Sequence, residues 1–481
     1  MKILERLQLN NVHFEGASEI GKTTFSSVPF IAAGLLSAAV CSLYLKLFLY
    51  SENVAMRVFH QHEWQLLIIC PVVFVLATWI VRRFAPGNGG SGIPQVMATM
   101  MADDMVAANP SETQVNPEMV SHRFLNWRVL PVKILSCCIG SLGGGGIGPE
   151  GPCVQLSAVV FRMTRDFWKR VFGTELSFYN MLVAGGAGGI AAAFNTPLGG
   201  IMFGLEHMAK SHVATIRLGT IEAVIACGFL SQLLNGPYLY LGFPVLSTVG
   251  WHDLLLVLGI SFFGGIAGAL FGVFLRKIIC WRRNLSAKSL YTWSVIAGLA
   301  TAVLIIIVGE SALGSGHELM KEILFKNEPT TVFHSALTCI ARFVSPLFVA
   351  CSEVAAGVFA PSLAAGAAIG QFFSQVFNPS IAHLSAICGM IAFLTGMTRT
   401  PLTAFVIMME MTDRHTAIFA MMLAAIVAFI SARAVEKGSF YDQMAEIYLG
   451  HKTVTAGVAS AAATPTSKAT EAVTETDTDV D

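Results

Sequence analysis

Glu150 sits alone in GGGGIGPEGP, Gly143 to Pro152, a carboxylate among six glycines and two prolines with apolar sequence on either side. An acid in such a stretch costs on the order of 2–3 kcal/mol even on insertion scales, so a functional role is the better default than a helix cap. Two other clusters share its form, GSGIP at Gly90 to Pro94 and GVFAP at Gly357 to Pro361. Proline is favoured in a first helical turn, and glycine before it lets bare backbone N–H groups approach a ligand. Each cluster therefore reads as a helix start inside an apolar region, although any one alone could equally be a kink. Helix N-termini carry unpaired donors and a partial positive charge, so several aimed at one point make an anion site. Partial charges release what a full lysine or arginine would hold, and the expected substrate is a small anion.

The composition supplies the setting for these starts. The chain of 481 residues is 54% hydrophobic and 12% charged, with a mean hydropathy of +0.65. Soluble domains carry about a quarter charged residues, so this is a multi-pass membrane protein. Ser26 to Tyr44, Leu66 to Val81, Leu254 to Leu275 and Trp293 to Val308 are each apolar enough to span. Around 130–161, 181–235, 334–377 and 382–433 the apolar runs are broken by Gly, Pro or charges. Broken runs mark backbone that lines a cavity or is satisfied by neighbouring protein.

MKILERLQLN does not resemble a signal peptide, so residues 1–25 are expected as a cytoplasmic segment before the membrane domain, 26–450. The link after Leu275 carries Arg276, Lys277, Arg282, Arg283 and Lys288 without an acid, which places it in the cytoplasm together with the termini. The acidic link from Glu310 to Glu328 is external by the same rule. From Thr453 the chain is rich in Ala, Thr and Ser and ends acidic, so 453–481 is expected as a disordered tail with no soluble regulatory domain. The polar segment Ala102 to Ser121 is expected as a surface loop. Ten cysteines, Cys41, Cys70, Cys227 and Cys388 among them, show no disulfide or zinc spacing and read as small buried hydrophobes. A net charge of zero gives no hint of nucleic-acid binding.

An internal repeat organises the broken runs. NTPLGGIMFGLE from Asn195 aligns with RTPLTAFVIMMEM from Arg399, matching Thr196, Pro197, Leu198 and Glu206 to Thr400, Pro401, Leu402 and Glu410 at a constant offset of 204 residues. GPEGP and GVFAP follow the same order at an offset of 209. Two elements at nearly equal separation point to a duplicated fold, with halves of roughly 26–240 and 250–445. Such halves are commonly inverted in the membrane, with the site where broken helices meet.

In family order, GSGIP, WRVLPVK (Trp127 to Lys133), GPEGP, AAAFNTPLGGIMFGLE (Ala191 to Glu206), GVFAP, RTPLTAFVIMMEM and the late Tyr441 resemble the CLC chloride channels and chloride/proton exchangers. The resemblance extends from about residue 30 to 445. It implies an all-α integral membrane fold of two inverted-topology repeats with many tilted and partial helices, assembled as a homodimer among membrane lipids. Ser91 and Tyr441 would offer hydroxyls to a central chloride, and the N–H groups of Val358 and Phe359 would complete that site. Gly92, Ile93, Gly148 and Gly151 belong to the same helix starts. Relatives selective for nitrate or fluoride tend to replace the serine, so Ser91 favours chloride. Glu150 would be the gate, its ionised carboxylate occupying the anion's place and its protonation admitting chloride, which makes one side chain both gate and proton carrier. No cofactor is implied beyond the transported chloride and protons.

Three departures from the family pattern matter. Proton-coupled relatives often carry a Glu-Glu pair where this chain has Glu206-His207. His207 is the candidate internal proton relay, since histidine titrates near neutral pH, with a surface hydrogen-bonded histidine as the alternative. Glu206 is a weaker candidate, and Glu410 reads as a satisfied structural acid. Pro149 replaces a common Arg or Lys before the gate, which alters the field at the outer mouth. Glu353 lies where the family usually has small residues. The leading expectation is chloride/proton antiport in a bacterial inner membrane, against a passive chloride channel or uncoupled carrier on the same scaffold. An integral-membrane enzyme is disfavoured, because neither HExxH nor GxSxG occurs. A purely structural scaffold would leave Glu150 unexplained.

Overall fold

The computed structural model describes residues 9–108, 116–210, 218–236, 240–244, 250–326, 331–412 and 417–450. The expected tail, 453–481, lies outside them. The first half supplies α1 (Leu9–His62), α2 (Leu66–Phe84), α3 (Ile93–Ala108), α4 (Pro117–Phe124), α5 (Val129–Ser141), α6 (Glu150–Phe172), α7 (Phe178–Phe194), α8 (Pro197–Phe203) and α9 (Leu218–Asn235). The second supplies α10 (Trp251–Arg283), α11 (Ala287–Val308), α12 (His317–Phe325), α13 (Val332–Ala350), α14 (Phe359–Phe377), α15 (Ala382–Thr398), α16 (Pro401–Thr412), α17 (Ile418–Val435) and α18 (Phe440–Leu449).

The four clean apolar runs form α1, α2, α10 and α11, and among the described residues seven helical stretches are long and apolar enough to cross a membrane. Their outer faces expose Leu36, Leu43, Ile68, Phe263, Ile307 and Ile430, as a lipid-facing surface requires. Between them lie helices too short to span alone, such as α5, α7 and α16. The chain is an all-α, multi-pass membrane protein.

Packing repeats between the halves. α6 lies against α7 as α14 lies against α15, α1 against α9 as α10 against α17, and α2 against α5 as α11 against α13. Helices α7 and α15 both end on a residue in the left-handed region, Asn195 at φ 56° and Arg399 at φ 63°, followed in each case by Thr-Pro opening the next helix. The halves meet at α8 and α16 and at the Gly-Pro clusters.

Residues 9–25 are helical and lead without a break into the first span. One expectation changes. Ala102 to Ser121 is not a simple loop: α3 continues to Ala108, and α4 starts at Pro117 with Asn116 Oδ1 accepting from the N–H groups of Glu118 and Met119. Residues 109–115 lie outside the described ones. Cys41, Cys70, Cys227 and Cys388 are buried in the helix packing as expected.

Candidate functional site

All three Gly-Pro clusters open helices: α3 at Ile93, α6 at Glu150 and α14 at Phe359. Two of them are bonded directly. Gly148 N donates to Gly357 O at 2.8 Å and Gly357 N donates to Gly148 O at 2.9 Å, an antiparallel bridge joining the halves. A side chain on Gly357 would collide with the Gly148 carbonyl, so only glycine allows this approach.

Glu150 is fully buried at the first turn of α6. Its Oε2 accepts from Ala360 N, in the first turn of α14, at 3.3 Å, and lies against Gly148, where a Cβ would come to 2.5 Å. Tyr240 Oη reaches Oε1 at 3.5 Å. The carboxylate thus occupies an orphan amide at a helix start, a position equally suited to a free anion.

Ser91 and Gly92 lead into α3, and Gly151 packs its backbone on Ser91: a Cβ there would run into Ser91 Oγ and come within 2.7 Å of Ser91 O. Lys133, buried on α5, holds this turn by donating to the carbonyls of Asn88 at 3.0 Å and Gly90 at 2.8 Å. Tyr441 stands in the first turn of α18, which packs on α3. The Ser91 and Tyr441 hydroxyls are near neighbours, and each is buried without a hydrogen-bond partner in the protein. Buried polar atoms are nearly always satisfied, so two such donors side by side suit an anion. Beside them a cavity of about 30 Å³ is lined by Gly90, Ser91, Pro94, Val358 and Phe440.

His207 lies in a single π turn, Gly204–Met208, that continues α8. Its ring stacks on Phe203 at 5.0 Å and meets Tyr441 edge-on at 5.2 Å. It is buried and neither ring nitrogen has a hydrogen-bond partner, so the alternative of a surface hydrogen-bonded histidine does not hold. Glu206 points elsewhere. Its carboxylate accepts from Leu402 N at 3.1 Å, Thr403 N at 2.6 Å and Thr403 Oγ1 at 2.7 Å, capping α16. Glu410 mirrors it on α8, accepting from Leu198 N at 3.2 Å and Gly199 N at 2.8 Å. Both carboxylates cap a helix start in the opposite half, the role that was expected for Glu410.

Beside the gate, a cavity of about 590 Å³ is lined by Pro149, Tyr240, His317 and a balanced set of charges, Lys46 and Glu52 from α1 and Glu318 and Lys321 from α12. Tyr240 escaped notice in the sequence because it lies in the motif-free link between the halves.

The family described as voltage gated chloride channel matches residues 73–433, three quarters of the sequence. The chain belongs to the voltage-gated chloride channel family. Among curated members, the H(+)/Cl(-) exchange transporter ClcA of Klebsiella pneumoniae (strain 342) is 30% identical over 385 residues, 76% of each chain. ClcA of Vibrio cholerae (strain ATCC 39541) is 31% identical over 396 residues, 78% of each chain. Among solved members of the family, a slow cyanobacterial Cl-/H+ antiporter superposes with a TM-score of 0.72 at 22% identity, covering 89% of this chain and 98% of its own. A CLC-type fluoride/proton antiporter gives 0.69 at 20% identity, covering 87% and 97%. These likenesses establish the CLC fold of two inverted repeats, and the paired caps and the bridged Gly-Pro clusters are its internal symmetry in this family member.

Proposed function

We infer that this protein exchanges chloride for protons across a bacterial inner membrane, as a transporter and not an enzyme, with Glu150 as gate and proton carrier. The observation that carries the reading is the Glu150 carboxylate on the Ala360 N–H at the junction of α6 and α14. An ionised carboxylate and a chloride compete for that donor. Protonation removes the charge that holds the side chain there, and the amides of Val358 and Phe359 with the hydroxyls of Ser91 and Tyr441 then have an anion to bind. The ClcA relatives carry the same two ions in their names.

His207 supports the coupled reading over a passive channel. A neutral imidazole can accept a proton on one nitrogen and release one from the other, and this ring is in contact with the chloride-binding phenol. Glu150 and His207 thus give the proton two stations, with the chloride site beside the second. The homodimer follows the family pattern, and the exposed apolar faces of α9 (Ile225, Phe229, Leu233) and its repeat counterpart α17 (Phe419, Ile426, Ile430) suit a partner subunit as well as lipid.

The test is reconstitution in liposomes with a chloride gradient, voltage clamped by a potassium ionophore, and external pH recorded. Uphill proton movement driven by chloride is the expected result. Chloride flux without proton movement would identify a channel or uncoupled carrier instead.

A further inference from the structure

On the side of the basic link between α10 and α11, a cavity of about 320 Å³ is lined by Arg82, Arg123, Arg282 and Arg283, with Glu353 and Tyr448. Four guanidiniums face one carboxylate, and that carboxylate only approaches Arg82, at 4.0 Å. Among the described residues no carboxylate pairs with Arg123, Arg282 or Arg283. Arg282 is 6% exposed and spends one nitrogen on the carbonyls of Ala350 and Ser352, so its charge is buried beside the cavity and uncompensated. Arg123 and Arg283 are exposed, which leaves the cavity open to solutes. Arg283 also lies over the Tyr448 ring at 5.0 Å.

A buried charge with no counter-ion is costly, and the buried Arg282 with the exposed Arg123 and Arg283 around the same space calls for an anion. A single chloride does not fill it, because about 320 Å³ is many times the roughly 10–15 Å³ that one water needs. Planar guanidinium forks match the paired oxygens of phosphate groups and hold them bidentately. The place matters as well, since Arg282 and Tyr448 also line the small cavity at Ser91.

We propose that this arginine-lined cavity binds a polyphosphate group and that its occupant closes the adjoining mouth of the anion path. The binding stands on the cavity itself. Only the closure rests on the chloride pathway described above. The phosphate groups come either from a soluble polyphosphate or from a lipid headgroup, and the two sources are separable.

Calorimetric titration of the full chain in detergent with inorganic pyrophosphate should show binding about tenfold or more tighter than sulfate at matched ionic strength. The double substitution R123Q/R283Q should abolish it, and R123K/R283K, which keeps the charge and loses the forks, should weaken it several-fold. Absence of binding, or equal binding by R123Q/R283Q, overturns the site. In phosphatidylcholine vesicles, pyrophosphate on both sides should slow chloride flux by wild type but not by R123Q/R283Q. If cardiolipin alone slows flux and R123Q/R283Q restores it, the lipid is the source. Pyrophosphate binding with flux unchanged in both vesicle types overturns the closure. Wild type without any chloride flux sinks the transport reading and leaves the binding result standing.

Discussion

The imidazole of His207 meets the phenol of Tyr441 edge-on at 5.2 Å, with both of its nitrogens buried and unpaired. A titratable ring against the phenol proposed as an anion ligand is a geometry that would couple proton and anion. His207→Val, which keeps the packing on Phe203 and removes the titration, should leave chloride flux within a fewfold of wild type and abolish chloride-driven proton uptake. His207→Glu should restore part of the uptake. Both are read from the pH trace of vesicles under a chloride gradient.

Glu150→Gln mimics the protonated gate permanently. Chloride flux by wild type should rise as the medium is acidified, because protonation frees the Ala360 amide for chloride. The glutamine variant should move chloride at a rate flat with pH and carry no protons. A variant that still pumps protons would remove Glu150 from the pathway.

Glu206 and Glu410 cap each other's partner helix across the repeat. Replacing either with alanine should lower stability by about 0.5–2 kcal/mol, the usual cost of a lost N-cap, measured by thermal unfolding in detergent. The proton-to-chloride ratio of the surviving protein should not change. A lost ratio in Glu206→Ala alone would place that residue in the proton pathway.

Tyr240 is the one hydroxyl beside the outer oxygen of the gate among the described residues. Its phenol donates to an ionised Glu150 and helps keep it seated. Tyr240→Phe should raise chloride turnover more in alkaline than in acid medium, because only the ionised gate accepts the phenol's hydrogen bond. A uniform loss at all pH values would mark a packing role through Phe194, which meets the Tyr240 ring at 5.1 Å.

Gly151→Ala probes the chloride seat without touching a titratable group. The added methyl has no room between Ser91 and the Gly357 backbone. Chloride affinity by calorimetry should fall tenfold or more, about 1.4 kcal/mol.

Much of this site is legible in the sequence because its anion donors are backbone groups, and Gly-Pro spacing announces bare helix starts without any knowledge of tertiary contacts. Glu150 stood out that way, whereas Ser91 and Phe359 were assigned only through the resemblance to the family. Tyr240 and the arginine cavity were not, and Glu353 was noticed without a role, because their meaning lies in which distant segment they meet. The segment from Ala102 was misjudged for a different reason: ADDMVAA reads as polar, yet alanine and methionine favour helix and carry α3 on to Ala108. The Asn116-Pro117 start of α4 was a visible signal that polarity obscured.

The Gly148 to Gly357 bridge has a bearing on how the molecule is made. While only the first half has been synthesised, Ser91 and Glu150 exist without the amides of α14, without Tyr441, and without the strand-like partner that fixes the gate. The ion route comes into being only when late sequence docks on early sequence. A nascent or truncated chain in the translocating membrane therefore has no assembled pore through which to dissipate the cell's ion gradients.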